Sequence, residues 1–168
     1  MIMYDTESKT LQMGPKITVI GVGGAGGNAI NTITKQNIKN IECIAVNTDL
    51  QALESVSCNK KLQIGIQTTN GMGTGSNPEI GRASAEESIE KILESVKYSD
   101  IVFLVAGLGG GTGSGALPII AHALQEQQIL TVGIVTKPFM FEGARRMSIA
   151  TNSLECIEDF IDTLIVVP

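Results

Sequence analysis

The sequence has no tryptophan, only 4% aromatic residues, a single histidine and three cysteines. Each scarcity closes a class of chemistry. Cys43, Cys58 and Cys156 are odd in number and show no CxxC spacing, so neither a disulfide framework nor a zinc site has support. All three are read as buried structural thiols. His122 stands alone in an apolar helical stretch, Ala116 to Leu124, and reads as a plain helix-surface residue. Basic residues are also short, at 12 Lys and Arg against 17 Asp and Glu. A net charge of −5 argues against a protein whose task is to grip nucleic acid or anionic lipid. The longest apolar runs, such as Ile101 to Ala106, fall far short of the ~20 residues needed to span a bilayer, and the N-terminus has no signal-peptide core. A soluble, cytoplasmic protein without membrane insertion is expected.

What the sequence does have is a hydrophobic share of 43% in 168 residues, enough for one well-packed domain, and 19 glycines gathered in clusters. Residues 1–15 lack any helical or strand period and read as a disordered tail. From Lys16 onward β-rich runs alternate with helix-period segments. Strands are expected at 17–21, 42–46, 61–64, 100–106, 130–135 and 163–167, and helices at 26–35, 50–54, 78–96, 113–125 and 144–158. Asn77-Pro78-Glu79 supplies an N-cap, a proline at the first helical position and an acid near the positive end of the helix dipole. Ile101 to Val105 and Leu164 to Val167 are apolar throughout, as strands covered on both faces are. The expected fold is therefore α/β, a Rossmann-like three-layer αβα domain around a six-stranded, mostly parallel sheet.

Three glycine-rich loops each join a strand to a helix. The first, Gly21 to Asn28, satisfies GxGxxG through Gly21, Gly23 and Gly26, which suits the approach of a phosphate to N–H groups at a helix N-terminus. The second, Gly107 to Gly115, has six glycines and the hydroxyls of Thr112 and Ser114, but no lysine, so it is not a Walker A loop. The third runs from Gly71 to Pro78. Their convergence on one polyphosphate at the carboxyl ends of a parallel sheet is the expected use. On the glycine motif alone, an NAD(P)-binding Rossmann oxidoreductase domain is the alternative, with Glu42 as the candidate ribose-binding acid. Against it, Glu42 sits at the start of its strand and a second phosphate loop has no role there. A purely structural interaction domain would leave the three loops without purpose.

Gly109 to Gly115, Gly-Gly-Gly-Thr-Gly-Ser-Gly, resembles the signature of the tubulin and FtsZ superfamily. Val46-Asn47-Thr48-Asp49-Leu50-Gln51-Ala52-Leu53, Gly71 to Gly81, Val135-Thr136-Lys137-Pro138-Phe139, Phe141-Glu142-Gly143 and Arg146-Met147 are similar to its bacterial cell-division branch, in the same order from Lys16 to Pro168. The resemblance implies a domain over residues 16–168 that binds GTP or GDP, with Mg2+ held through the nucleotide rather than by side chains. It also implies head-to-tail self-assembly into filaments of the division ring at mid-cell, contacts with other division proteins, and GTP hydrolysis coupled to assembly.

Carried over by residue, Gly23, Gly24, Ala25 and Asn28 match the first nucleotide loop, with the asparagine toward the nucleoside. Asn47 and Asp49 match a loop near the phosphates and magnesium, and Gly73, Thr74, Gly75 and Ser76 the loop sensing the γ-phosphate. Gly107, Gly109, Gly110, Gly111, Thr112 and Gly113 match the phosphate cradle. Thr136, Glu142 and Arg146 match positions contacting the ribose and the α and β phosphates. Ala25 stands where many relatives have glycine, which matters only if that position needs φ > 0. The family's central helix, its loop with catalytic acids and its second domain would follow Pro168. No catalytic residue is assigned within these 168, and the chain alone is expected to bind nucleotide weakly and hydrolyse it poorly.

Overall fold

The computed structural model describes residues 14–168. Apart from Gly14 and Pro15, the expected disordered tail lies outside them. Six strands, β1 (Ile17–Val22), β2 (Ile41–Asn47), β3 (Lys60–Gln63), β4 (Ile101–Gly107), β5 (Leu130–Thr136) and β6 (Thr163–Val167), form one sheet in the order β3-β2-β1-β4-β5-β6. Every neighbouring pair is parallel, a step beyond the mostly parallel sheet expected. Parallel strands need crossovers, and helices supply them: α1 (Gly23–Lys35), α2 (Leu50–Glu54), α3 (Ile66–Thr69), α4 (Pro78–Val96), α5 (Thr112–Glu126) and α6 (Ala144–Ile157).

The two helix layers are unequal. On one face α4, α5 and α6 bury the larger core, in which Ile20, Ile44, Leu104 and Val135 of the sheet meet Ile92, Leu117, Ile120, Leu124 and Ile157. On the other, α1 and α2 close a smaller cluster of Val19, Ile30, Ala45, Leu53 and Val56. In β4 one face is fully buried and the other half-buried. The expectation that β6 is covered on both faces does not hold: Ile165, Val166 and Val167 are exposed. An edge strand beyond the reach of α1 is covered on one side only, and its apolar run reflects residue type rather than burial.

Local chemistry explains the long helices. The Asn77 side chain accepts from the Glu79 N–H at 3.0 Å, with Pro78 at the first helical position. Pro118 lies inside α5, where it has no N–H for the Ser114 carbonyl one turn earlier. The Ser153 hydroxyl of α6 donates to that carbonyl instead, at 2.8 Å, so the defect becomes an α5–α6 fastening. Ile161 lies beyond the end of α6 but still packs against the core.

Candidate functional site

The carboxyl ends of the central strands open into a cleft of about 520 Å³. All three glycine loops reach it. Gly23, Gly24 and Ala25 come from the first, Thr74 and Ser76 from the third, and Gly107, Gly110, Gly111, Thr112 and Gly113 from the second. Thr136, Glu142 and Arg146 complete the expected residues that line it. The first loop is not a separate element, because α1 begins at Gly23, three residues before its expected start, and the glycines form its opening turn. Ala25 has no positive φ, so alanine is accommodated there without strain.

The electrostatics of the cleft follow from its helix ends. Neither α1 nor α5 has a side-chain cap, whereas α2 and α4, whose N-termini do not line the cleft floor, are capped by Asp49 and Asn77. The orphan N–H groups of two helices therefore face one cavity, where their dipoles favour an anion. Arg146 and Lys137 add positive charge. Arg146 is held in place by Glu142 Oε2, 2.8 Å from a guanidinium nitrogen, and reaches the Gly109 carbonyl at 3.4 Å. The other Glu142 oxygen accepts from the Phe139 N–H at 3.0 Å.

The glycines divide by the reason for their presence. A Cβ on Gly111 would lie 2.0 Å from Thr74 Oγ1, and one on Gly115 2.0 Å from the Pro78 carbonyl oxygen, so these two let the second and third loops touch. Gly24 and Gly110 are different: nothing in the protein lies within 4 Å of a Cβ placed on either. Both line the cleft, and the space a side chain would fill is cleft space. Thr112 is fixed by a 2.7 Å hydroxyl contact with buried Thr48. Ser114, expected to offer its hydroxyl to a ligand, is instead buried within the loop and accepts from the Gly109 N–H at 2.8 Å.

Other predicted residues sit beside the cleft rather than on its lining. Asn28 is exposed, farther along α1. Asn47 Oδ1 accepts from the N–H groups of Thr48 and Asp49 at 2.8 and 3.3 Å, and Asp49 caps α2 through the Ala52 N–H at 2.9 Å. Gly73 packs beside Asp49, Gly75 is exposed and Gly109 is buried under Arg146. The cleft also takes in Val22, Leu108, Lys137, Pro138, Phe139 and Pro168, which sequence reasoning did not assign as site residues. Lys137 directly follows Thr136 at the end of β5, a position from which it could have been inferred. Among the described residues no group of three or more His, Cys, Asp or Glu side chains could hold a metal ion.

Glu42 is at the far end of the sheet, level with Thr18 and paired with Lys60 at 2.7 Å and Lys16 at 3.8 Å. It cannot reach a ribose in the cleft, and the oxidoreductase alternative is not supported. His122 is half exposed on α5, stacked at a tilt on Phe160, as a surface residue.

Comparison with known proteins gives a consistent result. Residues 16–168 match the family model described as Tubulin/FtsZ family, GTPase domain. The chain is 51% identical to a cell division protein FtsZ of a Wolbachia species, over 92% of this chain and 42% of that protein. It is 47% identical to that of Rickettsia typhi, over 100% of this chain and 37% of the relative. Among solved structures, an empty FtsZ dimer of M. jannaschii superposes with a TM-score of 0.91 at 43% identity, covering 95% of this chain and 46% of that one. A GTPγS-bound protofilament of CetZ2 from Haloferax volcanii gives 0.83 at 29% identity, over 90% and 48%. The chain spans less than half the length of each of these relatives.

Proposed function

The chain belongs to the Tubulin/FtsZ family, GTPase domain, and from that premise we propose that its cleft binds GTP and GDP with Mg2+ and that the whole protein assembles head to tail as a cell-division filament. The observation that carries this reading is the pair of uncapped helix N-termini, α1 and α5, facing one cleft beside two glycines with no internal reason to be glycine. This donor set suits a polyphosphate, which needs many N–H groups and no side-chain bulk.

In this proposal Gly23, Gly24, Ala25, Gly110, Gly111, Thr112 and Gly113 hold the phosphates, with Gly107 and Gly109 shaping the loop. Arg146 and Thr136 approach the ribose and the α and β phosphates, and Glu142 orients Arg146. Asn28 lies toward the nucleoside. Asn47 and Asp49 brace the loop nearest the magnesium, and Gly73, Thr74 and Gly75 respond to the γ-phosphate. Bound Mg2+ would neutralise charge between the terminal phosphates. No acid is assigned to activate water within these residues. Hydrolysis is proposed to need a neighbouring subunit, in keeping with relatives described as a dimer and a protofilament. Other division proteins as partners and a place in the division ring belong to the same proposal.

Equilibrium titration with a fluorescent GTP analogue tests it. The native chain should bind, and Gly110→Ala should weaken binding by about tenfold or more while leaving the thermal midpoint nearly unchanged. Equal binding by both proteins would contradict the placement of phosphates at Gly110.

A further inference from the structure

At the opposite end of the sheet a second cavity, of about 720 Å³, lies between the end of α1, the start of β2 and the segment joining α2 to β3. Nothing in the nucleotide reading uses it. Two of the three cysteines line it, Cys43 from β2 and Cys58 from the α2–β3 segment. The expectation of three buried structural thiols fails at Cys156, which is exposed, and the other two, which share this cavity, are only half-buried.

Their neighbourhood is not an accident of the surface. Both pack against the same small cluster of Val19, Ile30, Ala45, Leu53 and Val56, so both lie on the α1 side of the sheet. Lys60 pairs in register with Ile44, which lays the backbone just ahead of Lys60 alongside Cys43. That level belongs to Asn59, the residue next to Cys58, and both cysteines line the same cavity. The Cys58 thiol donates to the Lys60 carbonyl at 3.1 Å, and Lys60 and Lys61 flank the cavity. Burial pushes the Cys43 thiol up, and the neighbouring Cys58 pushes it further in the same direction. The Cys43 thiol is therefore held in its protonated, less nucleophilic form.

We infer that Cys43 and Cys58 form a two-thiol modification site, closed to an intramolecular disulfide when a hydroperoxide enters the cavity they line. The Cys58 thiolate attacks one peroxide oxygen; the O–O bond breaks, Cys58 becomes a sulfenic acid, and the departing hydroxide takes up the thiol's proton as water. The Cys43 sulfur then attacks the Cys58 sulfur. The S–S bond forms, the S–O bond breaks, and the leaving oxygen departs with the Cys43 proton as a second water. Two thiols lose two electrons and the peroxide gains them. The product ties β2 to the α2–β3 segment, and a dithiol reductant reverses it.

Exposure of the full chain to hydrogen peroxide, followed by blocking of free thiols and peptide mapping by mass spectrometry, tests the site. The expected result is a Cys43–Cys58 cross-link, a mass loss of about 2 Da from two hydrogens, retention of a free Cys156 under mild oxidant, and full reversal by dithiothreitol. Cys58→Ala and Cys43→Val should each abolish the cross-link; in Cys58→Ala the remaining Cys43 should lose labelling more slowly, by about tenfold, once its intramolecular partner is gone, whereas in Cys43→Val Cys58 should still be oxidised and gain oxygen instead of forming the cross-link. Cys156→Ser should leave the cross-link intact. Separate oxygen additions at Cys43 and Cys58, or oxidation confined to Cys156, would overturn the inference. The map of the native chain decides this even if a variant folds poorly.

Discussion

Gly24 and Gly111 stand a few residues into their loops and look alike in sequence, yet the structure separates them. Gly24→Ala meets no neighbour and sits in the first turn of α1, so it should leave stability unchanged or slightly raised and weaken nucleotide binding. Gly111→Ala places a Cβ 2.0 Å from Thr74 Oγ1 and 2.8 Å from the Asn77 nitrogen. It should destabilise the chain by about 1 to 3 kcal/mol through overpacking, read as a lower midpoint in chemical denaturation. Arg146→Ala should do the reverse. Its ion pair with Glu142 is largely exposed, so stability should change by less than about 1 kcal/mol, while titration shows weaker binding of the nucleotide phosphates.

At the level of the element, the helix that sequence reading passed over is the most informative. The stretch between β3 and α4 reads as one long loop, but Ile66–Thr69 forms α3. Gly65 and Asn70, both left-handed, bracket it. Its first turn is held from outside, since Glu87 of α4 accepts from the N–H groups of Gln67 and Thr68 at 3.1 and 3.0 Å and from the Thr68 hydroxyl at 2.7 Å. These bonds, led by that from Gln67, hold the Glu87 carboxyl below its ordinary range. A carboxyl lowered in the folded state stabilises fully above its unfolded value, and the effect fades as pH falls through the folded one. The N–H resonances of Gln67 and Thr68 should accordingly shift as Glu87 protonates in acid, and Glu87→Ala should speed their hydrogen exchange at neutral pH. A contact across 20 residues has no signature in local sequence.

The same contrast explains what was legible. The bounds of α2, α4 and β6 agree with expectation because capping residues, periodicity or β-branched runs mark them locally. The convergence of the glycine loops on one cleft was readable from their strand and helix flanks. The inward turn of Ser114, the bare side of β6 and the shared cavity of Cys43 and Cys58 depend on which segments meet in space. Resemblance rather than spacing supplied Asn28, Asn47 and Asp49, which stand beside the cleft lining, and equally Thr136, Glu142 and Arg146, which are part of it.

Across the whole molecule, stability and function occupy different parts of the sheet. The core under α4, α5 and α6 carries the fold. Leu104→Ala, fully buried there, should cost about 2 to 5 kcal/mol, whereas Ile165→Thr on the exposed edge strand should change the denaturation midpoint little. The carboxyl ends of the strands carry the proposed nucleotide chemistry, where two helix N-termini without side-chain caps meet the cleft. The most direct measurement is the thermal midpoint of the chain with Mg2+ and, in turn, GTP, GDP, ATP and NAD. A ligand present at about 100 times its dissociation constant adds about 2.7 kcal/mol of stability. A rise with GTP and GDP that ATP and NAD do not produce is the predicted result. No rise with guanine nucleotides, or an equal rise with NAD, would contradict the assignment of the cleft.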